Sequence, residues 1–114
     1  MSFADVPTAA VSEVPAPPYT DAVLLDIRED DEWADGHAPD ALHIAMNDVP
    51  ARMDDIDIDA VVYVVCRSGG RSMRVVPYLN QNGFDAVNVA GGMVAWQTSG
   101  RPLVADDGRA AKIF

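Results

Sequence analysis

The stretch Ala60 to Cys66, AVVYVVC, is an unbroken apolar run of seven residues, four of them valine. Without polar alternation, such a run reads as a central strand covered on both faces of a sheet. It ends on the only cysteine, and Arg67-Ser-Gly-Gly-Arg-Ser follows at once. A strand buried on both sides needs helices above and below it. A chain of 114 residues has room for that in one compact domain and not in two.

The rest of the sequence supplies the parts. Ala22 to Ile27, AVLLDI, reads as a second buried strand, and Glu29 to Asp35 as a short acidic helix stopped by Gly36. Ala41 to Ala45 is a brief strand and Asp48 to Asp55 a short helix. After the cysteine loop a helix is expected from Arg71 to Asn82, ended by Gly83. Pro77 falls inside it, where the missing N–H should bend it or loosen its first turns. Ala86 to Ala90 is a further strand, Gly91-Gly92 a turn and Met93 to Thr98 a last helix. Residues 1–20 hold four of the eight prolines and read as a proline-rich segment, with an edge strand around Ala9 to Glu13. Residues 21–104 form the domain proper and 105–114 a tail. Strands alternating with helices predict an α/β fold, a three-layer α/β/α sandwich on a mainly parallel sheet of about five strands.

Charge excludes several classes of function. There are 18 acidic against 8 basic residues, a formal charge of -10. A chain this acidic lacks the basic face that nucleic acid requires, and anionic membrane surfaces repel it. The N-terminus has neither the basic nor the apolar region of a secretory signal, so a soluble cytoplasmic protein is expected. One cysteine cannot form an internal disulfide, a CxxC pair or a cysteine-rich zinc site. The charge is also uneven: residues 20–60 carry a net -11, and residues 61–104 a net +3. The only net-positive region surrounds the only cysteine.

That placement argues for chemistry at Cys66. Ligands in open α/β sheets bind at the carboxyl ends of strands. The loop Arg67, Ser68, Gly69, Gly70 and Arg71 can turn several N–H groups inward as an anion nest, and the next helix adds its positive end. Two guanidinium groups stand within one turn of the sulfur. Together these favour thiolate over thiol. A nucleophile aimed at an anion is the reading, against that of a cysteine that only packs.

CRSGGRS after an apolar strand resembles the active-site loop of the rhodanese-like sulfurtransferases. Asp26-Ile-Arg28-Glu-Asp-Asp-Glu32-Trp33-Ala-Asp-Gly36-His37-Ala-Pro39 is similar to the family's N-terminal signature, and Gly91-Gly92-Met-Val-Ala-Trp96 to its C-terminal one. The resemblance covers residues 22–100 and implies that Cys66 takes a sulfur from a small anionic donor such as thiosulfate. The sulfur would pass, as a transient cysteine persulfide, to an external thiol or protein cysteine, with no other cofactor. It implies Arg67 to Arg71 as substrate-binding residues. The C-x4-R spacing is the shorter form that in the family suits sulfur, rather than the C-x5-R of related phosphatases. The acidic body should weaken attraction for free thiosulfate, which favours a docked protein or a low-molecular-weight persulfide as donor.

Other residues receive structural readings. Asp26, Arg28 and Ser72 are expected to support the loop, Trp33 to anchor the short helix in the core, and Trp96 to pack beneath the last turn. His37 and His43 lack metal-ligand spacing, so no metal site is expected. The acidic run Asp54 to Asp59 reads as a solvated face. Asp40 stands where the signature has glycine, so a left-handed turn with some strain is expected there. The short proline-rich segment leaves little room for the helix that usually precedes this strand in the family, so one flank of the sheet should be less covered.

Overall fold

The computed structural model describes residues 6–114, and Met1 to Asp5 lie outside the described residues. Five strands form one parallel sheet: β1 (Thr8–Ala9), β2 (Ala22–Asp26), β3 (Leu42–His43), β4 (Val61–Val65) and β5 (Asp85–Val89), in the order β1-β5-β4-β2-β3. The valine-rich strand β4 is central, paired with β2 from Ala22↔Val61 to Asp26↔Val65 and with β5 on its other side. Parallel neighbours require crossovers, and α1 (Asp30–Asp35), α2 (Val49–Arg52), α3 (Ser72–Gln81) and α4 (Gly92–Thr98) lie between or after the strands.

Alternation along the strands divides the core in two. Leu25, Val62, Val64 and Ala86 point to one face and pack with Val49, Val75, Val76 and Leu79 of α2 and α3. Leu24, Val65 and Val89 point to the other, against Met93 and Trp96 of α4. This is the expected three-layer α/β/α arrangement. Each fully buried aliphatic side chain contributes about 1.5–3 kcal/mol, and the central strand, covered on both faces, is where these contributions concentrate.

Several elements differ from the sequence reading. The N-terminal edge strand is only Thr8–Ala9; Val11–Glu13 form a 3-10 turn closed by the Glu13 carboxylate accepting from the Ala10 N–H at 2.9 Å. The helix expected over Asp48–Asp55 is broken into α2 and two flanking 3-10 turns, because Pro50 sits at its start and the run to Asp55 lacks a continuous apolar stripe. The helix expected over Arg71–Asn82 runs as one ten-residue element, Ser72–Gln81, with Pro77 inside it and its first turn closed by an Arg74 N–H to Arg71 carbonyl bond of 3.1 Å. The N–H that Pro77 lacks leaves the Met73 carbonyl without the usual partner.

The proline-rich segment covers one flank through buried Val11 and Val14, and Arg101 fastens it by donating to the carbonyls of Val11 and Val14 at 2.7 and 2.9 Å. The cover is partial: a cavity of about 460 Å³ remains between Pro18, Tyr19, Leu24, Asp40 and Leu42. Asp40 takes the left-handed conformation, with φ of 64°, and is the only non-glycine residue to do so among those described. The tail packs back on the body. The His37 and Val104 backbones exchange hydrogen bonds at 2.9 and 2.8 Å, and the Lys112 N–H donates to the Asp35 carbonyl at 3.0 Å. No described helix is long and apolar enough to cross a membrane.

Candidate active site

Cys66 follows directly on β4, and its side chain is buried, with the residue 1% exposed. The loop after it folds back over the sulfur. Gly69 adopts φ of 114°, a conformation that favours glycine, and this turns its N–H onto Cys66 Sγ at 3.0 Å. Ser72, the first residue of α3, places its hydroxyl 3.5 Å from Sγ. The same hydroxyl lies 3.1 Å from the Gly69 carbonyl and hydrogen-bonds the side chain of Asn88 on β5. Ser72 and Asn88 are both buried. The sulfur therefore faces one backbone amide and one hydroxyl, groups that can donate to an anionic sulfur.

The outer side of the loop is held by α4. Met93 and Val94 donate their N–H groups to the carbonyls of Cys66 and Arg67 at 2.8 and 2.9 Å. Those two carbonyls accept from the first turn of a helix, where N–H groups have no partner within the helix. The approach depends on Gly92, because a Cβ there would run into the carbonyl of Cys66 and stand 2.8 Å from that of Arg67. The glycine pair was expected to serve only a tight turn; it also lets one helix end seat against the cysteine loop.

The two loop arginines have different surroundings. Arg67 is exposed and has no carboxylate partner among the described residues. Arg71 donates through both terminal nitrogens to the Glu32 carboxylate of α1, at 2.6 and 2.9 Å. The Arg71 guanidinium holds the Glu32 carboxyl down to about 2, and Glu32 in turn pushes Arg71 above its ordinary value. Ser68 and Gly70 lie on the loop's rim, Gly70 in open space. Glu32 received no role from the sequence, although it is the glutamate of the signature quoted above.

Asp26 and Arg28 do not brace the cysteine loop directly, as was expected. They form a buried bidentate pair with nitrogen-to-oxygen distances of 2.8 to 3.1 Å. The remaining Arg28 donors go to the carbonyls of Glu32 and Gly36 at 3.2 and 2.7 Å. The pair fixes the end of β2 to both ends of the α1 turn, and α1 carries the Glu32 that holds Arg71. Loss of one partner would leave a buried charge uncompensated, a change that costs about 3–5 kcal/mol.

Trp33 is half-buried and is not a core anchor. Its ring stacks with two imidazoles, that of His37 at 3.6 Å and that of His43 at 4.6 Å, both nearly parallel to it. His37 donates from Nδ1 to the Trp33 carbonyl at 2.8 Å, and its Nε2 stands 3.0 Å from Asp106. Trp96, on the buried face of α4, donates to the Pro102 carbonyl at 2.9 Å and carries the Arg101 guanidinium over its ring at 4.0 Å. Asp54, Asp55, Asp57 and Asp59 are exposed.

Comparison with known proteins places this arrangement among relatives. The model of the Rhodanese-like domain family matches residues 12–99. The chain is 43% identical over 102 residues to YtwF of Bacillus subtilis (strain 168), covering 90% of this chain and 98% of that protein. It is 45% identical over 89 residues to a protein named sulfurtransferase from Allochromatium vinosum, covering 77% of this chain and 83% of the relative. The crystal structure of a rhodanese-like domain protein from Staphylococcus aureus superposes with a TM-score of 0.66 at 34% identity, over 84% of this chain and 87% of that one.

Proposed function

The chain belongs to the rhodanese-like domain family, and from that premise we propose that it is a cytoplasmic sulfurtransferase that carries a sulfane sulfur on Cys66. The observation that carries this reading is the buried Sγ at the end of β4 with the Gly69 N–H directed onto it at 3.0 Å. The name borne by the Allochromatium vinosum relative, sulfurtransferase, supports it.

In the first half-reaction the Cys66 thiolate attacks the outer sulfur of thiosulfate or of a persulfide. The donor's S–S bond breaks as the new one forms, and sulfite or a thiolate leaves with the electron pair. Negative charge then resides on the outer sulfur of the Cys66 persulfide. Loop amides and the Ser72 hydroxyl, fixed before substrate arrives, stabilise that charge without reorganisation. A thiophilic acceptor then takes the sulfur and restores the thiolate. The two covalent stages give ping-pong kinetics. The chain has no second cysteine, so the acceptor comes from outside: a small thiol, or a cysteine of another protein. The reaction needs no metal and no bound cofactor beyond the persulfide itself.

Intact mass after incubation with thiosulfate tests this. The expected result is a cyanide-labile gain of one sulfur that is absent in Cys66→Ser. Turnover of thiosulfate by the serine variant, or no gain in the native chain, would overturn the reading.

A further inference from the structure

A cleft opens beside the cysteine loop on the α2 side of the sheet. Its inner part, of about 430 Å³, lies between Met46, Gly70, Arg71 and Arg74. An adjoining part of about 250 Å³ shares Met46 and Arg74 and continues over Val49, Pro50 and Tyr78. Along α3 the walls run from Arg71 to Tyr78, a rise of roughly 10 Å. One end of the cleft is thus the sulfur-handling loop, and the other is apolar with an aromatic side chain. Together the two parts fall in the size range of small-molecule sites.

Arg74 sits where the two parts meet. Most other arginines of the chain are engaged: Arg28 with Asp26, Arg52 with Asp55, Arg71 with Glu32 and Arg109 with Asp107, while Arg101 binds backbone carbonyls. Arg74 is exposed and, among the described residues, its guanidinium has neither a hydrogen-bond nor an ion-pair partner. In a chain with 18 acidic residues against 8 basic ones, a cation left free in a cleft wall is a position suited to an incoming carboxylate. A bare inorganic anion would use Arg74 and none of the apolar wall beside it.

We propose that this cleft is the acceptor subsite, and that it takes a small thiol bearing a carboxylate and an apolar chain. The proposal rests on the sulfur-transfer reading above. The thiol end lies at the loop, the carboxylate at Arg74 and the intervening chain along the Met46 wall, with the apolar surface of Val49, Pro50 and Tyr78 just beyond. The acceptor thiolate, its proton lost to solvent, attacks the outer sulfur of the Cys66 persulfide. A new S–S bond forms as the bond to Sγ breaks, the electron pair returns to Sγ, and the acceptor leaves as its own persulfide. No oxidant or reductant is consumed.

The test uses the full chain loaded with thiosulfate, loading being read by intact mass, and then follows unloading by subsaturating thiols in single turnovers. The expected result is that 6-mercaptohexanoate unloads Cys66 about fivefold faster than the uncharged 6-mercaptohexanol, the scale of one favourable ion pair, with the difference shrinking at high salt. Arg74→Glu should abolish that preference. Met46→Ser should instead reduce the advantage of 6-mercaptohexanoate over 3-mercaptopropionate. Loading followed by equal rates for the acid and the alcohol, or a preference that survives Arg74→Glu, overturns the subsite alone. Failure to load at all overturns the sulfur-transfer reading beneath it.

Discussion

Arg71, the last residue of the cysteine loop, is clamped by Glu32 of α1 through two hydrogen bonds of 2.6 and 2.9 Å across 39 residues of chain. A guanidinium in the free loop could swing toward solvent, whereas this one is held in plane by a bidentate carboxylate. The clamp also links the two buried ends of the architecture, because α1 is itself fastened to β2 by Arg28. Arg71 is thereby partly neutralised, which leaves Arg67 of the loop and Arg74 of α3 as cations with no carboxylate partner among the described residues.

Glu32→Gln should lower stability by about 1 kcal/mol near neutral pH, a modest figure because both partners are partly exposed, and should slow sulfur transfer by releasing Arg71. The pH dependence has a definite sign. Glu32 is depressed from 4.5 to about 2 in the folded protein, so the pair contributes fully above pH 4.5 and is lost as pH falls through about 2. Urea unfolding of both proteins at a series of pH values from 6 to 2 checks this: the gap between them should close within that window. A gap that stays constant down to pH 2 would rule out the ion pair as its source.

Gly92 and Gly70 make a paired prediction, since both lie at the site and only one is sterically required. At Gly92, with φ of 55°, a Cβ meets the carbonyl of Cys66. At Gly70 a Cβ meets nothing within 4 Å. Gly92→Ala should therefore destabilise the fold by about 2–4 kcal/mol through strain and loss of the α4 contacts to the loop. Gly70→Ala should stay within about 0.5 kcal/mol of the native chain. Chemical denaturation of the two variants separates these outcomes, and similar losses in both would contradict the geometry.

The fold and the place of Cys66 at the end of the central strand were both legible in the sequence, for a shared reason. The run Ala60 to Cys66 has one stable solution, a central strand, and the glycines after it force the chain to turn at the strand's carboxyl end. What stayed hidden were partners chosen by tertiary packing. Glu32 meets Arg71 across 39 residues of chain, and no local period signals that meeting. Asn88 sits in a strand whose apolar neighbours suggest only burial. Trp33 looked like a core residue because tryptophan usually is one, yet its two imidazole neighbours come from a turn and a separate strand. The broken helix at Asp48–Asp55 shows a local limit: three acidic residues and a proline in that stretch leave too narrow an apolar stripe to sustain regular turns.

Asn88 supplies the last prediction. The Ser72 hydroxyl carries one proton and stands among three groups: Cys66 Sγ, the Gly69 carbonyl and the Asn88 side chain. The Asn88 atom facing that hydroxyl is Oδ1, an acceptor, so Asn88 competes with Sγ for the single Ser72 proton. Asn88→Asp turns the competitor into a carboxylate and sets a negative charge one hydroxyl away from the sulfur, in a buried site where charges are weakly screened. Like charge and a proton drawn away from Sγ both disfavour the thiolate. Cys66 should then be alkylated by iodoacetamide several-fold more slowly at pH 7 than in the native chain, with the two rates converging as pH rises. Asn88→Ala should be alkylated no more slowly than the native chain, since it removes the competing acceptor without adding a charge. Equal alkylation rates for all three proteins at pH 7 would mean that Asn88 only fills space behind the loop.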